Sequence, residues 1–166
     1  MVSASKSVLN RVRTSRRGDQ LRLVAFVLLV PGAGLLIGWL NIPGAWYAAL
    51  NKPPFNPPDW AFAPVWTILF VLIGVAGFRT FSRQPRGTAM MLWALQMALN
   101  FTWSPVFFSL HRIDVALAVI VALFSTILAF IWRQWQVDRT AALLFIPYAV
   151  WVGFATILNT SLFALN

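Results

Sequence analysis

The 166-residue chain has no cysteine, no glutamate and a single histidine, His111. Without thiols, disulfides and thiolate metal sites are excluded. One imidazole and four scattered aspartates (Asp19, Asp59, Asp114 and Asp138) do not make a metal-ligand cluster, so no metal is expected. No nucleophile–base pair, triad or paired carboxylates are present, so no residue is assigned a catalytic role. Charged residues make up 10% of the chain and apolar residues 60%, a balance foreign to soluble domains.

What the chain has instead is long charge-poor apolar runs. Five of them, 21–40, 60–78, 88–110, 115–132 and 141–163, are each long enough to cross a bilayer. None alternates apolar with polar positions as barrel strands do. Backbone amides in lipid must bond within their own segment. The expected fold is therefore an all-α integral membrane protein, a bundle of five transmembrane helices over residues 21–166. Residues 1–20 form a basic arm expected to lie disordered on anionic headgroups. An organelle-targeting segment is the alternative for that arm.

The net charge of +9 would point to nucleic acid in a soluble protein. Its placement points to a membrane, and no nucleic-acid partner is expected. Lys6, Arg11, Arg13, Arg16 and Arg17 precede the first run, and Arg22 lies at its start. Arg79, Arg83 and Arg86 follow the second, and Arg133 and Arg139 lie between the fourth and fifth. Five crossings put these on one side, leaving Lys52 and Arg112 on the other. The positive-inside rule then places the N-terminus in the cytoplasm. Whether the membrane is inner or outer stays open.

Between the first two runs, aromatics and prolines alternate around Lys52. Trp46, Tyr47, Pro53, Pro57, Pro58 and Trp60 make this segment too stiff and donor-poor for an ordinary helix. Such a segment suits a lid at a membrane surface. Pro31, Pro64, Pro105 and Pro147 fall in or near the ends of four runs, where bends often border cavities. Gly34 and Gly38, and Ala94 and Ala98, are small-xxx-small pairs that permit close helix approach within a bundle or between two copies. Trp66, Trp103 and Trp151 sit a turn or more inside three different runs, with Asn100 and Asn159 nearby. Indoles and amides at that depth require partners or a polar cavity. Packing between helices accounts for each alone. Jointly they suggest an aromatic pocket for a flat apolar ligand, a metal-free tetrapyrrole or a polycyclic lipid, whose anionic edge could meet Lys52.

Three motifs carry a resemblance. The first is Trp46-Tyr47-Ala-Ala-Leu50-x-Lys52-Pro53-x-Phe55-x-Pro57-Pro58-x-Trp60, running into Pro64-Val65-Trp66. The second is Ala98-Leu99-Asn100-Phe101-x-Trp103-Ser-Pro105-Val-Phe107-Phe108. The third is Pro147-Tyr148-x-x-Trp151-x-x-Phe154-Ala155-Thr156-x-Leu158-Asn159. In this order, over about residues 22–163, they closely resemble the TspO/MBR family, that of the translocator proteins, tryptophan-rich sensory proteins and peripheral benzodiazepine receptors. The resemblance implies a five-helix bundle, often dimeric, with a ligand cavity closed by the first loop. It implies porphyrins such as protoporphyrin IX, or benzodiazepine-type drugs, as ligands rather than an obligatory cofactor. By motif, the implied pocket comprises Trp39, Tyr47, Ala63, Val65, Trp66, Asn100, Trp103, Phe107, Ala118, Ala122, Trp151 and Ala155. Animal members carry a C-terminal sterol motif containing Tyr and a basic residue. The tail after Leu158 has neither, so sterol binding through it is not expected.

Three functions are consistent with these residues. A membrane receptor or sensor for tetrapyrroles is preferred. A facilitated transporter of porphyrin or a lipid-like molecule is the second, although no acid is placed for proton coupling. Light-dependent porphyrin degradation, with Trp66 and Trp151 as electron donors, is the third.

Overall fold

The structure is a computed structural model that describes the backbone from Val2 and the side chains from Arg17 onward. The expectation of a disordered 1–20 arm falls mostly on residues whose side chains lie outside those described; Arg17–Gln20 are part of the first helix. The fold is all-helical, with no strand among the described residues. The helices are α1 (Val2–Leu40), α2 (Ala45–Ala49), α3 (Phe62–Arg83), α4 (Thr88–Ser104), α5 (Ile113–Trp135) and α6 (Arg139–Leu165). Four of them (α1, α3 with its preceding turn, α5 and α6) are long and apolar enough to cross a membrane. Their bounds fall close to the apolar runs, and the chain is an integral membrane protein.

The third run departs from a plain helix. α4 ends at Ser104 and passes into a π-helical turn, Pro105–Ser109. The cause is local. Pro105 has no N–H to give, and its ring crowds the preceding turn. The bonding widens in response: Leu110 N–H donates to the Pro105 carbonyl at 2.9 Å, five residues back. The connection to α5 then needs a left-handed residue. His111 takes it at φ 55°, a conformation uncommon outside glycine. The other prolines disrupt less. Pro31 and Pro147 lie inside continuous helices, and Pro64 occupies the first turn of α3, where its missing N–H has no helical partner anyway.

Packing runs in the order α1, α3, α6, α5, α4, with α4 and α1 only lightly in contact. The core is aromatic and aliphatic: Ile73, Ile127, Phe130 and Phe145 are wholly buried, and Phe130 packs on Phe145 at 4.1 Å. Glycine sets the approach of α1 to α3. A Cβ on Gly74 would stand 2.8 Å from the Phe26 carbonyl oxygen.

A polar clamp ties the basic end together. Asp138 caps α6 by accepting from Ala141 N–H. It also accepts from Arg79 through both oxygens, at 2.8 and 3.0 Å, and pairs with Arg83 at 3.1 Å. Next to it Gln134 donates to Thr80 at 2.7 Å. Burial alone would raise the Asp138 carboxyl. Its bonds to Arg79 and Ala141, and the charges of Arg79 and Arg83, outweigh burial and hold it below the usual carboxylate range. The folded form thus favours the anion more than the unfolded form does. The stabilisation is complete above the unfolded carboxylate range, about pH 4, and is lost as pH falls through the lower folded value. Asp138→Asn is expected to cost about 2 kcal/mol at pH 7. The cost should shrink in acid, as thermal unfolding in detergent would show. An equal cost at pH 7 and pH 3 would contradict the clamp.

Candidate functional site

Toward the other end, the helices separate around a cavity of about 510 Å³. Each wall has a simple origin. α3 contributes Phe62, Ala63, Trp66 and Phe70, spaced so that they share one helical face. α6 contributes Trp151, Ala155 and Asn159 at the same kind of spacing. α4 and its π-helical turn supply Asn100, Trp103 and Phe107. α1 presents Gly34, Gly38 and Trp39, and its glycines leave room that side chains would fill. A Cβ on Gly34 would collide with the Phe70 ring.

The polar groups in the walls fall into two kinds. Some are committed to the protein. Asn100 donates to the Tyr148 hydroxyl at 2.8 Å, and Trp103 N–H donates to the Asn159 side-chain oxygen at 3.1 Å. These two bonds join α4 to α6 and satisfy groups that are costly in hydrocarbon. Trp93 N–H, outside the cavity, is likewise held by the Ile73 carbonyl at 3.0 Å. Others are free. Among the described residues the indole N–H groups of Trp66 and Trp151, both lining the cavity, have no protein acceptor. Trp66 lies on Phe70 with ring centres 5.2 Å apart, and Trp151 meets Phe62 edge-on at 5.8 Å. The indoles are braced by other rings, with their donors left over.

The α1–α3 connection lies against the α4 end of the bundle. Trp46 stacks on His111 at 4.3 Å and meets Phe107 at 5.7 Å. Tyr47 packs edge-on to Phe108 at 5.4 Å, and its hydroxyl donates to Asn56. Burial, with the nearby charge of Asp59, raises the Tyr47 hydroxyl above its ordinary value, so it stays a neutral donor. Asn51 N–H donates to the Asn166 side chain, and Asn166 donates back to the Asn51 carbonyl, which pins the connection to the end of α6. From this segment Tyr47 and Asp59 reach the cavity lining.

Of the positions implied by motif, Trp39, Tyr47, Ala63, Trp66, Asn100, Trp103, Phe107, Trp151 and Ala155 line the cavity. Three lie elsewhere. Val65 packs against the aromatic core outside the lining. Ala118 and Ala122 are exposed on the outer face of α5; its inward positions at this level are Ile120 and Leu123. Trp46, Lys52, Pro53, Pro57, Pro58 and Trp60 also lie outside the lining. Lys52 turns back to the Ala48 carbonyl at 3.2 Å and sits 4.6 Å over the Tyr47 ring, so its charge does not point into the cavity. The charged group at the mouth is Asp59 instead. Phe62, Phe70 and Phe101 were missed, as was Tyr148, the buried partner of Asn100. Helical spacing from Trp151 back to Tyr148 would have shown that these two share a face.

The model of the family described as TspO/MBR matches residues 25–165. The chain is 40% identical over 135 residues to the tryptophan-rich sensory protein of Cereibacter sphaeroides, covering 81% of this chain and 85% of that one. It is 38% identical over 129 residues to the tryptophan-rich protein TspO of Chlorobaculum tepidum, covering 75% and 82%. It is also 33% identical to the translocator protein of Homo sapiens over 143 residues, 79% and 82% of the two chains. Likeness of this extent, spanning every helix that forms the cavity, makes this chain a member of the TspO/MBR family.

Proposed function

We propose that the protein is a membrane receptor or sensor that binds a flat tetrapyrrole, of the protoporphyrin IX type, in this cavity. Benzodiazepine-type ligands, also flat and apolar with a few acceptors, would compete for the same space. The observation that carries the reading is the pair Trp66 and Trp151: two indoles from different helices, braced by aromatic neighbours, that both line one cavity and have no protein acceptor among the described residues. Flat polarizable rings stack on such groups, and ring nitrogens or carbonyls would accept their hydrogen bonds. We read α4 with its π-helical turn as the fifth crossing; by the positive-inside rule the three basic segments then share the cytoplasmic side. The α1–α3 connection serves as the lid, held by its contacts to His111, Phe107 and Asn166. Ala94 and Ala98, exposed on the outer face of α4, offer a close-approach surface for a second copy.

Titration of protoporphyrin into detergent-solubilised protein, followed by tryptophan fluorescence, tests the binding. Saturable quenching that a benzodiazepine-type ligand reverses is expected. Quenching that rises without saturation would refute the reading.

A further inference from the structure

The last turns of α5, at the end opposite the cavity, carry a groove of a different character. Leu128, Ile131, Trp132, Arg133, Trp135 and Gln136 line it. Leu128, Trp132 and Trp135 recur at spacings of four and three, so they form one stripe on the helix. That stripe faces outward: Trp132 is 79% exposed and Leu128 46%. Its upper end is cationic. Arg133 is exposed in the groove wall, and the Arg139 guanidinium lies 5.0 Å over the Trp135 ring.

The acid nearest in sequence cannot neutralise these bases. Asp138 is buried and committed to Arg79 and Arg83. Among the described residues no acidic side chain forms an ion pair with Arg133 or Arg139. A hydrocarbon chain alone would match the stripe and leave two unpaired cations beside it. A soluble anion would match the cations and leave the stripe bare. A phospholipid with an anionic headgroup matches both.

We propose that this groove is a binding site for an anionic phospholipid. The phosphate lies between Arg133 and Arg139, within the reach of membrane-surface electrostatics. One acyl chain follows Leu128 and Ile131 toward the membrane interior. Trp132 sits at the level of the glycerol backbone, where amphipathic rings settle. A zwitterionic lipid brings its own ammonium against the same two arginines and is held less well.

The test is native mass spectrometry of the full chain, released from detergent with equimolar phosphatidylglycerol and phosphatidylcholine of matched acyl chains. Retention of phosphatidylglycerol should exceed that of phosphatidylcholine about tenfold. Arg133→Gln with Arg139→Gln should bring the ratio close to one. Arg86→Gln, which removes an equal kind of charge outside the groove, should leave it unchanged. Trp132→Ala should lower the retention of both lipids with both arginines still present; this second variant keeps the test valid if the double variant unfolds. Equal retention of the two lipids by the native chain would overturn the proposal. So would an equal loss in Arg86→Gln, or full displacement by glycerol phosphate, which would show a headgroup-only site.

Discussion

Replacing Trp66 and Trp151 together by alanine is expected to weaken tetrapyrrole binding about a hundredfold, from about 3 kcal/mol of lost stacking and burial. The two side chains enter the cavity from α3 and α6, so a ring between them would lose a contact on each face. They also carry the free indole donors, and alanine supplies none. Phenylalanine at both positions separates the two contributions. It keeps most of the stacking and removes the hydrogen bonds, and a loss of about tenfold is expected. Trp60→Ala is the control, because Trp60 is 75% exposed and outside the lining. Quenching titrations on all four proteins, with thermal unfolding to confirm folding, give the comparison. Wild-type affinity in the double alanine variant would remove these indoles from the site.

Gly74→Leu should destabilise the bundle by about 3 kcal/mol, as overpacking does where the neighbour cannot yield. The neighbour here is backbone: beyond the Phe26 carbonyl oxygen, the added carbon would meet the Val27 Cα at 3.3 Å. α1 would have to leave α3, and α1 carries Gly34, Gly38 and Trp39 of the cavity wall. Lower thermal stability and weaker tetrapyrrole binding should therefore appear together. Gly34→Ala separates these effects. The atoms nearest its added carbon belong to the Phe70 side chain, which can swing into the cavity. Gly34→Ala should reduce ligand affinity with a much smaller loss of stability. If Gly74→Leu melts with the wild type, α1 does not pack on α3 through this glycine.

The sequence disclosed the helices more completely than the site. Hydrocarbon admits few backbone solutions, so uninterrupted apolar runs in this chain could hardly be anything but helices. The break at Pro105 was visible as a proline, but the widening to a π-helical turn depends on how the following residues re-bond. Depth along a helix was legible: Trp66, Trp103 and Trp151 were placed well inside their runs, and all three line the cavity. Direction around a helix was harder to read. Within α5, Ala118 and Ala122, which face out, are apolar like Ile120 and Leu123, which face in, so apolarity alone does not separate the two faces at this level. Hydrogen-bond commitments were not legible at all. Trp103 looks equivalent to Trp151 in sequence, yet among the described residues only Trp103 of the two has its donor satisfied, by an asparagine on another helix. Lys52 likewise reads as a lid cation in sequence, whereas its turn back to the Ala48 carbonyl and the Tyr47 ring is set by the local fold. The Asp138 clamp joins α3 to a residue 59 positions away, a pairing that local spacing cannot reveal.

A structure of the chain solved with a bound tetrapyrrole tests the central claim most directly. A planar ring held between the indoles of Trp66 and Trp151, beneath the segment that carries Tyr47, is the predicted result. A ring seated on the outer surface of the helices, with the enclosed space still unfilled, would contradict it.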